Sequence, residues 1–207
     1  MNYNRDKHHR RSIRIQGYDY SKAGAYYFTI CCHKKQCLLG EIVSGVMHPN
    51  PIGETVEAIW NNLPRHFPFI ELDAFVLMPN HVHGIILITE NQFNFRGEAF
   101  EQIVSDSQPE YSTLNTSPSF SDNSTLPHGT QSGSLGAIVQ NFKSVATRRV
   151  NRLTRNKGTV WQRNYYEQII RDEKAYENIR RYIVENPLRW DEDEENPLNL
   201  KPIQENM

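Results

Sequence analysis

The sequence predicts an α+β domain, a ferredoxin-like antiparallel sheet with helices packed on one face, and three observations carry that expectation. Segments rich in β-branched and aromatic residues recur in pairs, apolar residues at helical spacing fall between them, and the resulting order is strand, strand, helix, strand, strand, helix. At 207 residues the chain suits one ordinary domain with an appended arm or insertion.

Ala25 to Cys32 is rich in aromatic and β-branched residues, and Cys37 to Val43 follows after a short polar link, so the two read as a hairpin. From Ile52 to Leu63 the residues Val56, Ile59, Trp60 and Leu63 recur at helical spacing, with Pro51 where a first turn tolerates it. Pro64 and Pro68 close that helix, and Phe69 to Met78 reads as a strand leading through Pro79-Asn80 into a second, Val82 to Ile88. Residues 92–133 change character to Ser, Thr, Asn, Gln and Pro, a composition that cannot offset its own ordering entropy, and are expected to be a disordered insertion. Ser134 can cap a helix whose apolar stripe runs from Leu135 to Leu153. Val160 to Ile170 reads as a strand, and Asp172 to Glu185 as a helix ended by Asn186-Pro187, with Ala175, Tyr176, Ile179, Tyr182 and Ile183 on one face.

A net charge of −1 conceals a division along the chain. Residues 93–133 hold one arginine against five acids, and residues 187–207 two basic residues against six acids, so the remainder carries about +7. The basic residues cluster. Arg10, Arg11 and Arg14 lie in an N-terminal arm, residues 1–14, and Lys143, Arg148, Arg149, Arg152, Arg155 and Lys157 follow one another without an acid. Such rows suit a polyanion, though a solvated face gives the same count. The acidic run Asp191 to Glu195 opens a tail, residues 191–207, expected to be solvated. Three clustered cysteines fit reduced thiols, no apolar run nears the ~20 residues of a membrane span, and no signal peptide is evident, so a soluble, cytoplasmic protein is expected.

The chemistry-bearing residues centre on His81 and His83. In a strand they share a face, roughly 7 Å apart by the rise per residue, while Val82 points to the core, so both imidazoles can converge on one metal ion. Ordinary half-exposed strand histidines are the alternative. Tyr182 and Asn186, four residues apart, can be presented together at a helix end, and of adjacent Tyr165 and Tyr166 a strand lets at most one face the same site.

Four motifs in order give a family resemblance: Met78-Pro79-Asn80-His81-Val82-His83, Phe142-Lys143-Ser144, Val160-Trp161-Gln162-Arg163-Asn164-Tyr165-Tyr166-Glu167 and Tyr182-Ile183-Val184-Glu185-Asn186-Pro187. Together they resemble the single-tyrosine HUH transposases, and within them the REP-associated tyrosine transposases, across about residues 12–190 apart from the insertion, with the catalytic domain expected at 15–190. The resemblance implies His81, His83 and Asn186 as ligands of a divalent metal, Mg²⁺ or Mn²⁺, and Tyr182 as nucleophile. It implies cleavage and rejoining of single-stranded DNA at hairpin-forming repeats through a 5′-phosphotyrosine, with Arg10, Arg11, Arg14, Lys143, Arg148, Arg149, Arg152 and Arg163 on the DNA. Gln168 stands where the family often has histidine. A catalytically silent nucleic-acid-binding domain of the same fold is the alternative, and monomer and homodimer both remain open.

Overall fold

The computed structural model describes residues 18–90 and 130–199. Arg10, Arg11 and Arg14 of the expected arm, nearly all of the expected insertion, and residues 200–207 lie outside them. The first strand, β1 (Gly24–Cys31), places Tyr26, Phe28 and Ile30 on one face and Tyr27 and Thr29 on the other, by strand alternation. A 3₁₀ turn at His33–Lys35 and a small hairpin follow, β2 (Gly40–Val43) with β3 (Val46–Pro49). The expected pairing of the Cys37–Val43 region with the first strand is therefore corrected. The reason lies in the turn: Ser44 and Gly45 both take positive φ, 52° and 75°, which closes a two-residue connection onto Val46.

Helix α1 (Pro51–Asn61) starts with Pro51, and the Asn50 side chain accepts hydrogen bonds from the amides of Ile52 and Gly53 at 2.9 and 3.0 Å. A one-turn helix α2 (Leu63–His66) leads into β4 (Ile70–Leu77), and the Pro79-Asn80 turn carries the chain into β5 (His81–Ile88). The chain passes out of the described residues after Glu90 and returns at Thr130; Gln131 donates to Ser21 Oγ, three residues before Gly24, which pairs with Ile88 of β5. Ser134 then caps α3 (Leu135–Thr154), its hydroxyl accepting from the Ala137 amide. The segment expected as one strand from Val160 becomes an isolated bridge between Trp161 and Cys32 followed by β6 (Tyr166–Ile170). Gln162 N still donates to Cys31 O at 2.9 Å, and beyond it Lys143 Nζ donates to the carbonyls of residues 162 and 163 at 2.7 and 2.9 Å. Asp172 caps α4 (Glu173–Glu185), and 3₁₀ turns continue over Asn186–Glu192.

The sheet is antiparallel in the order β4-β5-β1-β6, and with α1 and α3 as its crossovers it has the expected ferredoxin-like topology. On one face Phe28, Ile30, Val82 and Ile86 pack against Val56, Ile59 and Trp60 of α1 and against Ile138, Val139 and Phe142 of α3. The helical cover goes further than one face, because α4 lies across the opposite side, where Ile183 joins Tyr27, Ile85 and Ile170. A break in the β4–β5 register between Leu72 and Phe75 falls at half-buried Asp73, which accepts a hydrogen bond from the Tyr176 hydroxyl at 2.6 Å and pairs with Arg180 at 3.2 Å. That carboxylate pins α4 to the sheet.

Gly84 is a point of close approach in the main core, since a Cβ there would lie 2.8 Å from Phe28 Cζ and 3.0 Å from Trp60 Cη2, both rings buried. Gly84→Ala should therefore destabilise the fold by about 1–3 kcal/mol through overpacking. Urea denaturation measures it, and an unchanged midpoint would mean that the aromatic stack yields freely.

Candidate active site

The site forms on the face that α4 covers. Register sets it up, with His81 opposite Cys31 and His83 opposite Thr29, while Val82 faces the main core as expected. Both imidazoles are buried rather than half-exposed, and they turn toward each other until the two Nε2 atoms stand 3.0 Å apart. Burial strips water from the charged forms, so the His81 pKa is pushed down to about 3 and that of His83 well below its ordinary value, with His81 adding repulsion. Both rings are neutral at pH 7.

The turn residue Asn80 fixes one of them. Its Nδ2 donates to the carbonyls of Lys35 and Glu195, at 3.1 and 2.7 Å, which leaves its Oδ1 to accept from His81 Nδ1 at 2.8 Å. His81 therefore carries its proton on Nδ1 and points an Nε2 lone pair into the site. His83 Nδ1 instead meets two hydroxyls, Tyr27 Oη and Thr29 Oγ1, each at 2.8 Å.

Helix α4 brings Tyr182 over this pair, its ring 5.3 Å from that of His83 at an edge-on 67°. The residue is 43% exposed and lines the cavity of the site. Burial first, then the charge of Asp193, holds its hydroxyl above the ordinary phenol range, with the Asn186 side chain acting in the opposite sense. Asn186 itself is 3% exposed, and its Oδ1 is buried without a hydrogen-bond partner. A buried acceptor without a donor costs free energy unless something else satisfies it. Tyr182, His83 and Asn186 line one cavity of about 700 Å³ together with Tyr27, Thr29, Tyr165 and Tyr166. Both adjacent tyrosines reach it, which corrects the expectation that at most one would, because Tyr165 precedes β6 and is not bound by strand alternation.

The acidic run also departs from expectation. Rather than a solvated tail, residues 193–195 line the cavity. The Asp193 side chain is 9% exposed with Oδ2 3.9 Å from His81 Nε2, and Glu195 is held by Lys35 Nζ at 3.1 Å. Burial raises the Asp193 pKa.

The donors fit a divalent ion. Two nitrogens bound at about 2.1 Å and at right angles stand roughly 3 Å apart, the separation found here, and Asn186 supplies an oxygen in need of a partner. Among the described residues no group of three or more His, Cys, Asp or Glu side chains forms a metal cluster, and the candidate donors are two imidazoles and an amide.

The expected DNA contacts lie elsewhere. Arg148, Arg149 and Arg152 are exposed on α3 and form no ion pair among the described residues. Arg148 and Arg163 line a groove beside Trp161, and Gln162 belongs to both that groove and the main cavity. Lys143 is committed to the carbonyls of residues 162 and 163. Tyr27, Thr29 and Asp193 do not stand out in the sequence; the first two would do so only if the β1–β5 register were known.

No family model matches the sequence. The chain belongs to the family of a Haemophilus influenzae protein described as uncharacterized (strain ATCC 51907 / DSM 11121 / KW20 / Rd), to which it is 41% identical over 192 residues, 93% of this chain and 96% of the relative. Its fold is similar to that of a REP-associated tyrosine transposase solved bound to a REP hairpin, with a TM-score of 0.51, 17% identity, and coverage of 86% of this chain and 74% of that one. A putative transposase from Deinococcus radiodurans R1 aligns with a TM-score of 0.40 at 14% identity, over 85% of this chain and 98% of that one. Among the described residues no helix is long and apolar enough to cross a membrane.

The neutral histidines give a pH dependence with a definite sign. Between about pH 6.5 and pH 3 the unfolded chain binds a proton that the folded chain refuses at His81, and His83 acts in the same sense, so their contribution to stability is fully present above pH 6.5 and is lost as pH falls. The slope is up to about 1.4 kcal/mol per pH unit for each histidine. Urea midpoints from pH 7 to pH 4 should fall less steeply in His81→Gln than in the wild type, and parallel curves would refute the assignment.

Proposed function

We propose that this protein is a metal-dependent endonuclease and strand transferase for single-stranded DNA, a transposase of the single-tyrosine HUH kind acting on hairpin-forming repeats. The observation that carries the reading is the meeting, in one cavity, of a partly exposed tyrosine from α4, an unsatisfied amide at that helix's C-cap and His83 of β5, whose Nε2 faces that of the buried His81. The likeness of fold to a transposase solved on a REP hairpin supports the choice of substrate.

In this reading His81, His83 and Asn186 hold a divalent ion, Mg²⁺ or Mn²⁺. When bound, it supplies a positive charge that polarises a phosphate oxygen. Nitrogen donors suit Mn²⁺ better than Mg²⁺, which prefers oxygen, so Mn²⁺ should serve as well or better. Tyr182 stands as a neutral phenol, so its hydroxyl gives up its proton as the oxygen attacks phosphorus. The Tyr182 O–P bond forms, the P–O3′ bond breaks, and the 3′ oxygen leaves as a hydroxyl, which conserves a phosphodiester for the reverse step. Burial of both imidazoles keeps them neutral and available as donors. The strand then runs across Gln162, the residue shared by the cavity and the α3 groove, toward Arg148 and Arg163, with Arg149 and Arg152 further along α3. Arg10, Arg11 and Arg14 would add phosphate contacts from the arm.

Incubation with labelled single-stranded hairpin DNA and Mn²⁺ should give an adduct that survives denaturation, mapped by peptide analysis to Tyr182. Tyr182→Phe, which removes one oxygen and keeps the ring, should abolish the adduct and retain DNA binding. An adduct at Tyr165 or Tyr166 would overturn the assignment, and binding without any adduct would favour a silent binding domain.

Replacing Arg148, Arg149 and Arg152 by alanine should weaken single-stranded DNA binding and lower its salt slope by about 0.7 for each phosphate left unneutralised. Identical isotherms across salt concentrations would reduce that row to a solvated face.

A further inference from the structure

The two histidines are held by different chemistry on their outward nitrogens. Asn80 Oδ1 can only accept, so His81 keeps its proton on Nδ1 whatever stands in the site. Tyr27 and Thr29 offer hydroxyls, which can either donate or accept, and Thr29 Oγ1 donates to Tyr27 Oη at 3.0 Å to form a closed polar triangle with His83 Nδ1. If His83 were locked like His81, two bare Nε2 lone pairs would face each other at 3.0 Å in a buried site. That arrangement is repulsive without a cation between them.

We propose that Tyr27 and Thr29 are positioning residues that let His83 exchange tautomers, so that it donates from Nε2 to His81 when the site holds no ion and presents an Nε2 lone pair when one is bound. The inference rests on the metal reading above. In the ion-free state the hydrogen bonds run in one direction, from Thr29 to Tyr27, from Tyr27 to His83 Nδ1, and from His83 Nε2 to His81 Nε2. With an ion bound, the proton leaves Nε2, one is placed on Nδ1, and Nδ1 donates to a hydroxyl of the triangle, with no net change in protons on the ring. The hydroxyl pair thus satisfies both states, which a carboxylate or carbonyl in its place would not.

The test uses ¹⁵N-histidine-labelled protein over the full chain. Nitrogen shifts should show His81 protonated on Nδ1 throughout, and His83 protonated on Nε2 without ion and on Nδ1 after saturation with diamagnetic Mg²⁺. Calorimetric titration with Mn²⁺ should show a 10–100-fold loss of affinity in Tyr27→Phe/Thr29→Val, the range found when outer partners of ligating histidines are removed, and near wild-type affinity in Thr29→Ser. Thermal midpoints of all variants establish that they fold, and Tyr27→Phe alone serves if the double variant does not. His83 already protonated on Nδ1 without ion, or unchanged Mn²⁺ affinity in a folded Tyr27→Phe variant, overturns the proposal while leaving the metal site standing. A wild type that takes up no Mn²⁺ overturns the metal reading and this inference with it.

Discussion

The antiparallel pairing of β5 with β1 sets His83 opposite Thr29 and His81 opposite Cys31, and almost every other feature of the site follows from that register. Because strand side chains alternate, a slip of one residue would send both imidazoles into the face that Val82 now fills and bring Val82 into the cavity. The register is held from both sides. Phe28 and Trp60 close over Gly84 in the main core, while the Pro79-Asn80 turn is fastened by hydrogen bonds from Cys32 N to Asn80 O and from Leu39 N to Pro79 O. The same turn residue, through its side chain, fixes the outward nitrogen of His81, so that one asparagine serves the turn, the tautomer and the docking of residue 195.

Much of this is legible in the sequence because it depends on local rules. The alternation of His81, Val82 and His83 and the four-residue spacing of Tyr182 and Asn186 are set by periods of two and 3.6 residues, and the cap at Ser134 and first-turn Pro51 by local helix-start preferences. What escapes depends on long-range placement. Strand β1 is visible as a strand, but nothing in residues 24–43 says that its partners are β5 and β6, about sixty and one hundred and forty residues away, rather than the segment that follows. For the same reason Tyr27 and Thr29 look like ordinary strand residues. The acidic run is misplaced by its composition, which reports charge and not location. Lys35, Cys31 and Asn80 gather it in through one ion pair and several hydrogen bonds that no local pattern announces.

The rim of the site is acidic, with Glu192, Asp193, Glu194 and Glu195 lining the cavity against Arg189. The imidazoles are neutral, and Lys35 is paired with Glu195. A polyanion gains little from such a mouth unless positive charge is added to it. The arginines of α3 sit outside it, beyond Gln162, where they can hold a strand without drawing it into the reacting position. In the proposed reading, affinity and chemistry thus fall to different parts of the surface.

The point at which the chain leaves β5 bears on how this scaffold can change. His81 and Ile88 occupy opposite ends of the strand, separated by about 23 Å at a strand's rise per residue, and residues 90 and 130 flank the far end. Loop-closure entropy grows only slowly with length, so that junction can accept or lose dozens of residues at a cost of about 1 kcal/mol. For protein engineering this makes it a natural port: a fluorescent or affinity module spliced between Glu90 and Thr130 would ride on the rim remote from the histidines.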